Sequence, residues 1–269
     1  MPGLVTVWRK ELADHFSSWR FAILFGVAIL AGLYANYVAS QSIRAYVAEG
    51  GMAEFVFLRL FTASSGALPS FISLIGFVGP LVGLALGFDA INRERTSGTL
   101  SRVLSQPVFR DSVINGKFLA GLTTIAIILV AIAMVAGGAG LRMIGVTPSL
   151  EEVLRILVFL GISIVYVAFW MGMAILFSIL FRSAATSALA AIAMWLFFVI
   201  FLSMVAGVVA NTVAPLGPEA TTEAVVRNGE VQQMIMRLSP STLFGEATGI
   251  ILTPQRSTLG PLFLGEVLR

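Results

Sequence analysis

The chain of 269 residues contains no cysteine, one histidine (His15), and charged residues at only 12% of its positions. Without cysteine there is no disulfide framework, no thiolate nucleophile and no cysteine-based zinc or iron–sulfur site. A single histidine leaves no His-rich metal cluster, and no catalytic residue or metal site is expected. Ordinary soluble domains carry about 25% charged residues, so water is not the main solvent of this sequence. The formal charge of +3 and pI of about 9.7 are too small an excess to imply a nucleic-acid partner. They fit the basic bias of membrane topology instead. Neither a fixed-period repeat nor a low-complexity segment is present.

What is abundant is apolar sequence: 58% of residues are hydrophobic and the mean hydropathy is +0.95. A bilayer crossing needs roughly 20 consecutive apolar residues as a helix, and five runs reach that length. They span about 21–40, 71–91, 118–141, 156–181 and 184–210. In lipid only helices satisfy their own backbone hydrogen bonds segment by segment, and these runs are too long and uniformly apolar for barrel strands. The fold expected is therefore all-α, a polytopic transmembrane helix bundle in one domain over 1–269.

Residues 1–20 place Val7, Trp8, Leu12, Phe16 and Trp19 against Arg9, Lys10, Asp14 and Arg20, the pattern of an amphipathic helix in the membrane interface. The charges ahead of a long apolar run are not those of a cleavable signal peptide, so the first span is expected to stay as an anchor. Basic residues concentrate in the segment 92–117 (Arg93, Arg95, Arg102, Arg110, Lys117) and in 1–20, while acids gather in the loops 41–70 and 142–155 and after 210. The positive-inside rule then puts the N-terminus in the cytoplasm and 211–269 outside. That tail, with Pro215, Pro218, Pro240, Pro254 and Pro261, reads as a loop with short helices on or dipping into the outer leaflet.

The segment 87–121 is the most informative. A span ends in the polar run Asp89-Ala-Ile-Asn-Arg-Glu-Arg95; a short helix follows over about 97–105, capped by Thr96 or Ser97 and stopped by Pro107; a second helix then runs unbroken into the third span. Leu100, Val103 and Leu104 give the short helix one apolar face with nothing in this chain to bury it, which calls for a partner. Gly116-Lys117 is not a phosphate loop, because a Walker A needs a Gly where Asp111 stands and a Ser or Thr where Phe118 stands. Lys117 is expected to snorkel at the start of the third span. Asp89 and Arg93 are spaced for an i,i+4 ion pair, with a proton relay as the alternative role for Asp89. Gly79, Gly83 and Gly87 form a small-xxx-small stripe, either helix packing within the subunit or a dimer seam, with Pro80 inviting a kink. Trp195 to Phe201 reads as lipid-facing or packed bulk.

The run Glu94-Arg-Thr-Ser-Gly98-Thr99-Leu100, then Leu104-Ser-Gln-Pro107-Val and Gly116-Lys117-Phe, resembles the cytoplasmic loop of the type-2 class of ATP-binding-cassette (ABC) exporter permeases. It is most similar to the branch containing the permease of the nitrous oxide reductase maturation system. The resemblance implies a transmembrane subunit without ATPase activity of its own. It also implies a coupling helix in 92–117 that docks on a separate nucleotide-binding subunit through Glu94, Arg95, Gly98, Thr99, Leu100, Leu104 and Pro107. ATP and Mg would sit on that partner, a second permease chain, identical or homologous, would complete the pathway in the cell membrane, and 1–20 would be the interfacial elbow helix. Family members usually carry six spans; Leu238-Ser-Pro240-Ser-Thr-Leu243-Phe244 resembles the stretch ahead of the last, and the chain is read as ending before it, with a re-entrant tail as the alternative. Two other function classes stand beside this one. An ion-driven secondary transporter would place charged groups on broken helices at mid-membrane. A non-transporting membrane assembly protein is the third.

Overall fold

A computed structural model describes residues 2–48, 55, 57–64, 69–99, 109–144, 147–216 and 221–253. The described elements are helices: α1 Pro2–Phe16, α2 Trp19–Ala48, α3 Arg59–Thr62, α4 Phe71–Gly87, α5 Asn92–Thr96, α6 Arg110–Ile144, α7 Leu150–Leu180, α8 Ala184–Leu196, a π-helical turn Phe197–Phe201, α9 Leu202–Val213, α10 Thr222–Met236 and α11 Pro240–Leu252. Among the described residues, five helical stretches are long and apolar enough to cross a membrane: Phe21–Ile43, Phe71–Thr96, Arg110–Arg142, Leu150–Leu180 and Ala184–Val213. They match the five apolar runs and extend beyond most of them, because polar residues continue a helix once it has left the lipid. The fold is an all-α polytopic bundle. The short helix expected over 97–105 falls mostly on residues outside those described.

The bundle is built around the pairing of α4 with α7. A β-carbon built on Gly83 would lie 2.5 Å from the Val167 carbonyl and 3.0 Å from the Met171 nitrogen, and one on Gly87 would lie 2.6 Å from the Met171 carbonyl. The backbones touch, and only glycine permits that approach. Gly79 belongs to the same seam, 2.9 Å from Val167 Cγ2 by the same construction. Tyr166 Oη adds a polar fastening, donating to the Gly76 carbonyl at 2.8 Å. Trp170, Phe71, Phe159 and Phe61 fill the space between these helices and α3. Trp195 is buried with them, whereas Phe197, Ile200 and Phe201 are exposed, so the aromatic run divides between the core and the outer surface of the bundle.

At one end of the bundle, α7 opens with a capping box in which Ser149 and Glu152 exchange hydrogen bonds. Glu152 Oε1 also accepts from the Phe57 backbone nitrogen at 3.0 Å, tying the loop before α3 to the start of α7. Arg155 donates to the Ile251 carbonyl at 2.9 Å and so holds the last turn of α11 at this same end.

The tail forms two helices, and of the two expected placements, on the surface or dipping in, they take the second relative to the bundle. α10 runs back alongside α9, with Asn228 Nδ2 bonded to Asn211 Oδ1 (3.0 Å) and to the Ala214 carbonyl (2.7 Å). α11 then returns, stacking Phe244 on Tyr166 at 4.4 Å between ring centroids. The turn between them carries Ser239, whose hydroxyl reaches the Phe198 carbonyl at 3.5 Å. Phe198 and Tyr166 lie near the middles of their spans, so α10 and α11 form a re-entrant hairpin that reaches mid-bundle depth. Its amphipathic pieces alone could not reveal that depth; the inward face of Phe244, Thr248 and Leu252 does, because it is fully packed against the chain's own core.

Candidate functional site

The opposite end of the bundle holds a charged knot. Lys117, in the second turn of α6, is buried (side chain 5% exposed) and bonds Glu11 of α1 at 2.9 Å and Glu94 of α5 at 2.8 Å. Lys10 approaches the same Glu94 oxygen at 3.8 Å and also pairs with Glu11 and Asp14. Three segments distant in sequence are thus joined by a single ammonium group. Lys117 does not snorkel to water as its position at a span border suggested, because α1 lies across it and offers a carboxylate nearer than solvent. Glu94 is not a solvated charge at a helix end; it is buried, and its Oε2 has no hydrogen-bond partner.

α1 is fitted to α6 by shape as well as charge. A β-carbon on Gly116 would sit 2.7 Å from Val7 Cγ1, and Trp8 Nε1 donates to Thr123 Oγ1 at 3.1 Å. On the other side, Ser178 of α7 accepts from the backbone nitrogens of Ile91 (3.0 Å) and Asn92 (3.2 Å), satisfying donors at the start of α5. Arg95 Nη1 donates to the Phe181 carbonyl at 3.3 Å. Asp89 is buried here, its carbonyl accepting from the Arg93 nitrogen at 2.9 Å.

Among the residues singled out by sequence, Glu94 and Arg95 therefore sit in the knot and at its edge. Gly98 follows the helix end with φ of +70°, a conformation that suits glycine, and the Ser97 and Thr99 hydroxyls turn back to the Glu94 carbonyl at 3.3 and 3.4 Å. Gly98 and Thr99 are exposed. Leu100, Leu104 and Pro107 lie outside the described residues. Gly79, Gly83 and Gly87 are spent on the α4–α7 seam. Sequence reading missed the pairing of Glu11, Lys10 and Lys117 with Glu94. A signal existed in that charges of both signs stand at the membrane borders of three segments sharing one end of the topology.

Burial and charge tune the α1 groups. Burial alone would raise the Glu11 carboxyl, but the Lys117 charge and hydrogen bond, with help from Lys10, hold it below its ordinary 4.5. Burial works against the Lys10 ammonium, yet Glu11 and Asp14 lift it above 10.5. His15 is pushed below 6.5, first by burial and then by Lys117, against the attraction of Glu11, Asp14 and Asp89. A depressed His or Glu contributes stability that is present at high pH and lost as pH falls; a raised Lys contributes stability lost as pH rises. Thermal stability in detergent is therefore expected to be flat between about 6.5 and 10.5, to fall first below 6.5 as unfolded His15 takes up a proton, and again below 4.5. In His15→Gln the first fall should vanish while the second remains. A wild-type melting curve unchanged between neutral pH and pH of about 5 would contradict this assignment.

Comparison with known proteins agrees with this architecture. The profile described as ABC-2 family transporter protein matches residues 5–258. The chain is 30% identical over 209 residues to a protein of Pseudomonas aeruginosa named "Probable ABC transporter permease protein NosY", covering 76% of this chain and 70% of that one. It is 33% identical over 150 residues to the protein of the same name from Stutzerimonas stutzeri, covering 51% of this chain and 49% of that one. A five-span helical bundle with a buried charged knot at one end, matched along nearly its whole length, places the chain in the ABC-2 family of transporter proteins.

Proposed function

We propose that this membrane subunit exports its cargo with ATP hydrolysed on a separate nucleotide-binding subunit, which docks beside the charged knot. The observation that carries the reading is that Glu94 and Lys117, at the two ends of the segment 97–109, are clamped to each other and to α1. A load applied to that segment meets a braced end of the bundle rather than a floppy loop, and is passed to α1, α4 and α6 together. Closure of the ATPase would then move the helices as a rigid body. Arg95, Gly98 and Thr99 form the exposed approach to the docking segment, and Leu100, Leu104 and Pro107 continue it in sequence. ATP and Mg belong to the partner, and a second permease chain completes the pathway. The knot end carries Arg9, Lys10, Arg93, Arg95, Arg110, Lys117 and Arg182, so it faces the cytoplasm of a cell membrane by the positive-inside rule, and the hairpin faces out.

The test is purification of the complete protein with the products of neighbouring genes. An ATPase should co-purify and hydrolyse Mg-ATP. Gly98→Trp should weaken its retention about tenfold or more, roughly 1.4 kcal/mol, since it sets a bulky ring next to the proposed docking segment and strains the left-handed backbone there. No bound ATPase, or full retention in Gly98→Trp, would overturn the proposal.

A further inference from the structure

α10 is unlike the other long helices. Its Glu223, Arg227, Glu230, Met234 and Arg237, the last just beyond the helix end, recur at helical spacing on one face, and all five are exposed. The opposite face, through Asn228, packs on α9. The depth of the exposed face follows from the spans. Ala184–Val213 is 30 residues long, about 45 Å at 1.5 Å per residue, and a hydrocarbon core of about 30 Å centred on it has its outer boundary near Val208 or Val209. Asn228 is level with Asn211 and Ala214, just above that boundary. Met236 lies about 12 Å further along the helix, inside the hydrocarbon zone, and Ser239 touches Phe198 near the midplane. Arg237, its side chain 42% exposed, is pinned there by Glu246 of α11 at 3.0 Å, and Gln233 Nε2 donates to the same carboxylate at 2.8 Å.

A charged side chain at that depth does not face lipid without a cost of at least about 2.5 kcal/mol. Snorkelling offers Arg237 no escape, because its Nε is bonded to Glu246. Nor is the face that of a protein–protein contact, whose core is depleted in charge. Glu223, Arg227 and Glu230, at or above the boundary, have the i,i+4 and i,i+3 spacing of a solvated helix surface, and Arg237 carries the charge below it.

We propose that this face of α10 walls a water-filled vestibule, open at the end opposite the charged knot and floored by the Arg237–Glu246 pair, which gives polar or charged cargo a hydrated route to mid-membrane. The cargo rests on the transporter reading above, and the side of opening on its orientation; the wetness of the face rests on neither. Such a wall suits a cargo with a hydrated head, and an entirely apolar molecule would gain nothing from it.

The chain's lack of cysteine makes the test direct. Single replacements Glu230→Cys, Met234→Cys and Arg237→Cys are made in the complete protein in intact cells and exposed to a charged, membrane-impermeant methanethiosulfonate, with Phe201→Cys and Met204→Cys on the exposed apolar face of the π-turn and α9 as controls. Met234 and Glu230 have no role in the Arg237–Glu246 pair, so they report even if Arg237→Cys misfolds. Only a wetted thiol ionises to react. Labelling at 234, inside the hydrocarbon zone, at least about tenfold faster than at 201 and 204, and comparable to that at 230, is the expected result. Labelling that stops above 234, or equal labelling at the controls, would overturn the vestibule. Labelling absent in intact cells but present in inside-out vesicles would keep the vestibule and overturn the orientation, whereas absence of an ATPase partner would not affect it.

Discussion

Replacing Lys117 with methionine is expected to destabilise the protein by about 3 kcal/mol, because it removes the buried ammonium shared by the half-buried Glu11 and the buried Glu94 and leaves only the exposed Lys10 near them. The cost lies in the charges left behind and not in the pair's net worth. The triple replacement Lys117→Met, Glu11→Gln and Glu94→Gln should accordingly recover most of the loss, since a buried ionic cluster exchanged as a whole for neutral groups is often close to neutral in stability. Denaturant titration of the purified protein in detergent measures both. A single replacement within about 1 kcal/mol of the parent would mean that the knot is hydrated and that these charges act as a surface ion pair. The same cluster is the brace proposed for ATP-driven motion, so the triple variant also separates folding from coupling: it should fold yet transmit poorly.

Gly83→Val is expected to cost about 3 kcal/mol or more, at the upper end of what overpacking produces. The obstruction is backbone: the added β-carbon meets the Val167 carbonyl at 2.5 Å and the Met171 nitrogen at 3.0 Å. No rotamer change relieves it, so α4 must move off α7. Gly207→Ala is the control, since a β-carbon there meets nothing within 4 Å and should be neutral or stabilising by about 0.5–1 kcal/mol through helix propensity. The same denaturant titration distinguishes the two. Equal effects at Gly83 and Gly207 would show that the α4–α7 seam yields easily and is not the axis of the bundle.

The spans were legible because bilayer crossing is a local property of composition and length. Every apolar run from 21–40 to 184–210 is recovered within a few turns, and the unbroken helix from Arg110 into the third span was readable from the absence of any breaker after Pro107. The glycine stripe announced a close approach, but periodicity cannot say which helix approaches; Val167, Met171 and Ala174 lie some 80 to 90 residues away along the chain. The capping box at Ser149–Glu152 is likewise a four-residue pattern, whereas the Phe57 nitrogen that shares Glu152 comes from another segment. The tail was least legible. α10 is too polar to announce itself as membrane-embedded, and its depth is set by what α11 packs against.

By itself, then, the sequence determined five apolar helical runs long enough to cross a membrane, with a basic segment between the second and third, because hydropathy and helix breaking act over a few turns. Only the tertiary structure decided that Lys117 is a buried tie and not a snorkelling cation, that Glu94 is held from two directions, and that a charged helix descends to the middle of the bundle. Each of these depends on the potential and solvent created by residues remote in sequence. A charge borrows its partner from whatever the packing brings within about 4 Å.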